Sequence, residues 1–137
     1  QGFDLNRLTF EKARLQGAQM QGANLIGAQM QGADLIGAHM QGANIFGAQM
    51  QGANLNLAQM DSATTLIAAI LSGAAMREVD YTDVGITQAQ VDGLFYDGSV
   101  TFAERITRAP GRDEVLDGSD FFIQWHAWQK KNGYEVE

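Results

Sequence analysis

Histidine, serine and carboxylate side chains are the residues of this sequence that could do chemistry. Because there is no cysteine, disulfides, thiolate metal sites and cysteine nucleophiles are excluded. A serine nucleophile needs an adjacent base, yet the chain has only His39 and His126, and one histidine without a second ligand makes a poor metal site. No two carboxylates form an obvious acid–base pair. We therefore predict no catalytic residue, no metal site and no cofactor, and hence no enzyme.

The overall charge and hydropathy exclude two further classes. A net charge of −7 argues against a protein that follows nucleic-acid phosphates. No run of about 18 apolar residues is present, so the sequence itself contains no membrane-spanning segment. Glycines recur at intervals of five residues, which differs from the spacing of a phosphate-cradling loop.

An internal repeat of five residues is the main signal of the sequence. Alanine recurs at every fifth position from Ala13 to Ala68, and two residues after each alanine stands a larger, mostly apolar residue. A period of five fits neither a helix of 3.6 residues per turn nor a strand of period two. A coil with four short sides does fit, because each side can turn the alanine and the larger residue inward while glycine forms the corner.

The pentads also resemble a known family. Residues 23–27 (ANLIG), 33–37 (ADLIG) and 43–47 (ANIFG) are similar to the signature of the pentapeptide repeat proteins, and the resemblance extends from Phe3 to Asp83. It implies the fold class, an all-β solenoid formed as a right-handed quadrilateral β-helix of about four coils. We expect a repeat domain over residues 3–83, with one extra residue near Gly73, and a C-terminal capping segment over 84–137 with two short helices.

Outward positions of the coil predict an interaction face. Ile26, Phe46 and Leu66 follow the central position in every fourth pentad, so we expect them to stack as an exposed apolar stripe, with Ile36 on the opposite side. We predict that this stripe contacts a protein partner, a second copy or the tail of the same chain. Methionine and leucine at the central positions are predicted to fill the core.

The C-terminal segment has the pattern of two helices. Thr87 and Gln90 form a potential capping box for a helix over 88–95, and Ser119 or Asp120 is the expected N-cap of a second helix that ends near Asn132. Phe121, Trp125 and Trp128 give the second helix an apolar face. We predict that this face packs on its own solenoid; a dimer helix is the alternative. The N-terminal coil edge offers a second route to a homodimer.

The favoured function is a non-enzymatic structural or protein-interaction module. The family resemblance also implies a role as a DNA mimic that binds and protects DNA gyrase. That role requires dense acidic ladders, whereas residues 3–83 carry seven acids and four bases. A third alternative is the soluble domain of a membrane-anchored bacterial protein. We expect a cytoplasmic bacterial protein, or a membrane-associated or exported one if a targeting segment precedes Gln1, and no nucleic-acid partner.

Overall fold

Successive turns of the chain stack on one another through parallel backbone bridges. The structure, a computed structural model, describes residues 3–135. In the first three coils, each bridge joins a residue to its counterpart four pentads later, as in Asp4 to Asn24 and Asn24 to Asn44. At one representative bridge, the N–H of Leu25 donates to the carbonyl of Asn44 at 2.8 Å, and the N–H of Asn44 donates back to the carbonyl of Ala23 at 2.9 Å. Four such bridges join the first coil to the second, four join the second to the third, and three join the third to the fourth. They pair backbone groups of the inner coils that would otherwise lack a partner.

Tight turns separate the four bridged positions of each coil. In a representative turn, the N–H of Ala28 donates to the carbonyl of Leu25 at 3.0 Å, and Gly27 lies between them with φ of +64°. A positive φ at the third turn residue is the mark of a type II turn, which favours glycine there. Ala68 and Leu57 adopt the same left-handed conformation without that advantage.

Small and large apolar side chains alternate inside the coils. The alanines from Ala23 to Ala58 and the central methionine, leucine and isoleucine residues from Met20 to Met60 are buried. The predicted core is therefore confirmed over these residues. The first coil is less covered, since Leu5, Phe10 and Leu15 are only partly buried. Tyr81 lies in the same core, and its hydroxyl donates to the carbonyl of Ala58 at 2.7 Å.

The extra residue of the repeat lies at residues 61–64 rather than near Gly73. His39 still pairs with Gln59, but Asn44 pairs with Thr65, so the interval between paired positions has grown by a single residue. The carboxylate of Asp61 accepts hydrogen bonds from the N–H of Gly42 and that of Ala63, both at 3.0 Å. At the other corners, the glycine N–H donates to a backbone carbonyl of the next coil, as Gly22 does to Gln41. At Gly42 the carboxylate of Asp61 takes the place of that carbonyl. The sequence prediction was wrong because alanines at 63 and 68 kept the five-residue rhythm after the insertion.

Parallel pairing continues beyond residue 83. The short strands β1 (Ala75–Met76) and β2 (Asp80–Tyr81) pair with β3 (Phe95–Tyr96) and β4 (Thr101–Phe102), respectively. Between them lies helix α1 (Gln88–Asp92), whose predicted capping box of Thr87 and Gln90 is confirmed. The helix is shorter than the predicted 88–95, because Phe95 leaves it to pair with Ala75.

Helix α2 (Gly118–Asn132) packs against the outside of the coils. Its N-cap is Asp117, whose carboxylate accepts from the N–H of Asp120, and not Ser119 or Asp120 as the sequence predicted. The predicted end is confirmed, with Gly133 in the left-handed conformation. Trp125 Nε1 and Gln129 Nε2 both donate to the carbonyl of Gly73 at 2.9 Å, which ties the helix to the coil surface.

Candidate interaction surface

An apolar stripe runs across three coils on one corner of the stack. Ile26, Phe46 and Ile67 occupy the second position of stacked turns, because the N–H of Gly27 donates to the carbonyl of Phe46 at 2.9 Å and that of Gly47 to Ile67 at 3.0 Å. Phe46 is 46% exposed and Ile67 is 63% exposed, while Ile26 is partly buried. The stripe therefore places two large apolar side chains in solvent next to each other.

Leu66 does not belong to the stripe, and the prediction that it is exposed was wrong. It is 1% exposed and lies in the core. The insertion at residues 61–64 explains the difference, since Thr65 pairs with Asn44 and Leu66 therefore takes the inward position that Ile45 has in the coil below. Ile67 occupies the outward place that the sequence assigned to Leu66.

Two further isoleucines lie on the outer surface. Ile36 is partly buried at another corner, where its counterparts in the neighbouring coils are Gln16 and Asn56, so it has no apolar neighbour in its column. Ile70 follows Ile67 across one turn, pairs with Gln49 and is largely exposed. The sequence prediction missed Ile70, although its outward position follows from the same one-residue shift. We therefore define the apolar patch as Ile26, Phe46, Ile67 and Ile70.

Glutamines cover much of the surface beside the patch. Gln31 Nε2 donates to Gln49 Oε1 at 2.8 Å, and Gln41 Nε2 donates to Gln59 Oε1 at 2.7 Å. These bonds connect residues 18 positions apart, so they run diagonally between coils and not straight along one column. The result is a neutral, hydrogen-bonded surface around the patch.

The aromatic face of α2 is covered by its own chain. Phe121 and Trp125 are buried and Trp128 is partly buried; they cluster with Ala75 and Phe95. The ring centroids of Phe95 and Phe121 are 5.1 Å apart in an edge-to-face arrangement. Phe121 and Trp125 thus pack within the chain. The sequence had suggested that the tail of the chain could cover the apolar stripe. The helix instead docks on Ala75 and Phe95, away from the apolar patch.

Hydrogen bonding and burial shift the pKa of several side chains. A hydrogen bond from the Thr82 hydroxyl lowers the pKa of Asp80, and the N–H of Asp120 lowers that of Asp117. Burial raises the pKa of Tyr81 above its ordinary value of 10.0. Within residues 3–135, histidine, aspartate and glutamate form no group of three that could hold a metal ion. Neither helix of this part has the length and apolarity needed to cross a bilayer.

Comparison with known proteins finds the same repeat. A family model described as pentapeptide repeats matches eight copies, over residues 4–42 and 23–61. No curated protein matches the sequence.

Three solved structures are similar to the chain in part. HetL, a pentapeptide repeat protein involved in heterocyst differentiation regulation in the cyanobacterium Nostoc sp. strain PCC 7120, is 22% identical with a TM-score of 0.34, over 58% of this chain and 49% of HetL. The present chain thus spans about half of that protein. A second Nostoc PCC 7120 pentapeptide repeat protein is 25% identical (TM-score 0.31; 69% of this chain, 84% of the other). A pentapeptide repeat protein of the Arabidopsis thaliana thylakoid lumen is 22% identical (TM-score 0.33; 96% and 77%).

Proposed function

Because the chain belongs to the pentapeptide repeat family, we propose that it is a protein-interaction module whose coils present the apolar patch to another protein chain. Membership of the family supports a non-enzymatic repeat protein. We also infer the finer fold that the family implies, a right-handed quadrilateral β-helix of about four coils. The bridges that recur at four positions around each of the first two coils, at intervals of 20 residues, support this inference.

The exposure of Phe46 next to Ile67 is the observation that carries the proposal. Both side chains stand on stacked turns, so they form one continuous apolar surface and not two isolated contacts. Contiguous exposed apolar surface is characteristic of sites where another protein binds. Aromatic residues with little charge nearby are the typical centre of such interfaces.

The side chains around the patch support a protein partner. The neighbouring outward positions carry Asn44 and Gln49, which are neutral and hydrogen-bond within the coil surface. A polar rim around an apolar centre is the common arrangement of a protein–protein interface. The same neutrality gives no support to the DNA-mimic alternative, which depends on dense acidic charge.

Photo-crosslinking from position 46 tests the proposal. A chain with Phe46 replaced by benzoylphenylalanine is irradiated at rising concentration alone and in an extract of the source cells. We expect an adduct with a second copy or with a specific protein. The same probe at Ile123, which is equally apolar and exposed on α2, is the control.

A second variant separates contact from local damage. We expect Ile67→Ser to abolish the adduct formed from position 46, because it removes the neighbouring apolar contact without changing the core. Adducts of equal yield from positions 46 and 123, or an adduct that Ile67→Ser leaves unchanged, would show that the patch is not the binding surface.

A further inference from the structure

A cleft of about 500 Å³ separates α2 from the outer surface of the coils. Asp34 and Asn54 line it on the coil side, and Phe122, Trp125 and His126 line it on the helix side. None of the residues of the apolar patch is part of it. Its volume lies within the range of sites that bind small molecules. The cleft therefore raises a question of binding that is independent of the proposed interaction surface.

Asn54 holds an unused hydrogen-bond donor at this cleft. The residue is only 7% exposed, and its Oδ1 accepts from the N–H of Asn56 at 3.0 Å. Since only the oxygen of the amide can accept, this bond fixes the orientation of the group. The Nδ2 group then occupies the other arm of the amide, and within residues 3–135 it has no hydrogen-bond partner. The cleft is open, so water reaches this donor, and a ligand acceptor would take the place of that water.

Asp34 and His126 supply acceptors to the same cleft. The Asp34 carboxylate accepts from the N–H of Ile36 and from Gln16 Nε2, and its four lone-pair sites leave capacity for more. Gln129 uses its Nε2 on the carbonyl of Gly73, so its Oε1 faces His126 Nδ1 at 3.2 Å. His126 must then donate from Nδ1, which leaves Nε2 of the neutral ring as an acceptor.

Charge at the cleft disfavours ionised ligands. An anion would meet Asp34 and Glu135 and the overall charge of −7, whereas a cation would meet Lys12 and offer nothing to the Asn54 amide. A hydroxyl group both accepts and donates, so it suits Asn54 and Asp34 together without bringing a second charge into the cleft. The rings of Phe122 and His126, which stack at a centroid distance of 6.3 Å, offer an apolar wall to a flat molecule.

We propose that this cleft binds a neutral, hydroxyl-rich ring of the pyranose-sugar class, with hydroxyls on Asn54 and Asp34 and the apolar face of the ring against Phe122 and His126. The probes are the methyl glycosides of glucose, galactose and mannose, followed by amide NMR of the full chain. We expect at least one of them to shift the resonances of residues on both walls of the cleft. Glycerol serves as a hydroxylated compound without a ring, and N-acetylglycinamide as an amide.

Asn54→Asp is the specific variant. It keeps the oxygen that serves Asn56, and Asp34 makes the equivalent bond to Ile36 in the coil below, so the turn accepts this residue. It replaces the free donor with an acceptor, and we expect affinity for the glycoside to fall about tenfold or more. Asn44→Asp is the matched control, because Asn44 Oδ1 makes the same bond to the N–H of Phe46 outside the cleft.

Each outcome decides the proposal. Shifts on both walls that Asn54→Asp weakens and Asn44→Asp preserves support it. If Asn54→Asp destabilises the fold, Asn54→Ser, which retains a neutral oxygen for Asn56, takes its place in the same comparison. The absence of shifts with all three glycosides overturns the proposal, as do shifts away from the cleft, equal shifts with glycerol, or shifts with N-acetylglycinamide alone.

Discussion

Exchange of glycine and alanine between two stacked corners provides a sensitive test of the coil geometry. Gly47 and Ala68 occupy the same corner in successive coils, with φ of +64° and +60°. A Cβ atom built on Gly47 has no other atom within 4 Å, so Gly47→Ala introduces conformational cost without a steric clash. Ala68→Gly removes the same cost from the coil above.

The magnitude follows from two opposing terms. A left-handed conformation costs a residue with a Cβ atom about 1–2 kcal/mol. Alanine in place of glycine recovers about 0.4–1 kcal/mol, because the unfolded chain has fewer conformations to lose. Gly47→Ala should therefore lower the free energy of unfolding by about 1 kcal/mol, and Ala68→Gly should raise it by a similar amount. For a chain of this size the shift in Tm is about 3–5 °C in each direction.

Urea and thermal unfolding followed by circular dichroism measure both effects. Gly37→Ala is an independent repeat at another corner, since its added Cβ atom also meets nothing within 4 Å and its φ is +66°. The double variant Gly47→Ala/Ala68→Gly should lie close to the parent protein. A stabilising Gly47→Ala, or a destabilising Ala68→Gly with an unchanged denaturant slope, would refute the assignment of these corners as left-handed turns.

Three further predictions concern the insertion, α2 and the core tyrosine. Asp61→Ala removes the acceptor of the Gly42 N–H and should cost about 1 kcal/mol with faster hydrogen exchange at that amide, whereas Asp61→Asn should retain most of the protection. Phe121→Ala empties a buried site and should cost about 3–5 kcal/mol and expose α2 to limited proteolysis, while Ile123→Ala should be nearly silent. Burial raises the pKa of Tyr81 above 10.0, so the unfolded chain releases this proton first; stability should fall as pH rises beyond 10.0, and Tyr81→Phe should remove this decline in alkaline unfolding titrations.

The core could be predicted because it depends on local periodicity. From Ala23 to Met60, alanine and a larger apolar residue recur in every pentad, and both point inward because the backbone turns every five residues. The capping box of Thr87 and Gln90 could be predicted for the same reason, since its partners lie three residues apart. The interaction surface was predicted only in part, because Ile26 and Phe46 precede the insertion and Leu66 follows it.

The sequence by itself therefore determined the five-residue unit, the identity of the inward residues up to Met60 and the resemblance to the pentapeptide repeat proteins. Tertiary structure decided the position of the insertion, because the hydrogen bond that Asp61 accepts from Gly42 in the coil below, and not any local pattern, accommodates the extra residue. It also decided where α2 docks, since the carbonyl of Gly73 becomes an acceptor for Trp125 and Gln129 only when segments far apart in the chain meet. The cleft and its unused Asn54 donor arise from that docking, and contacts between segments so distant in sequence leave no periodic signal.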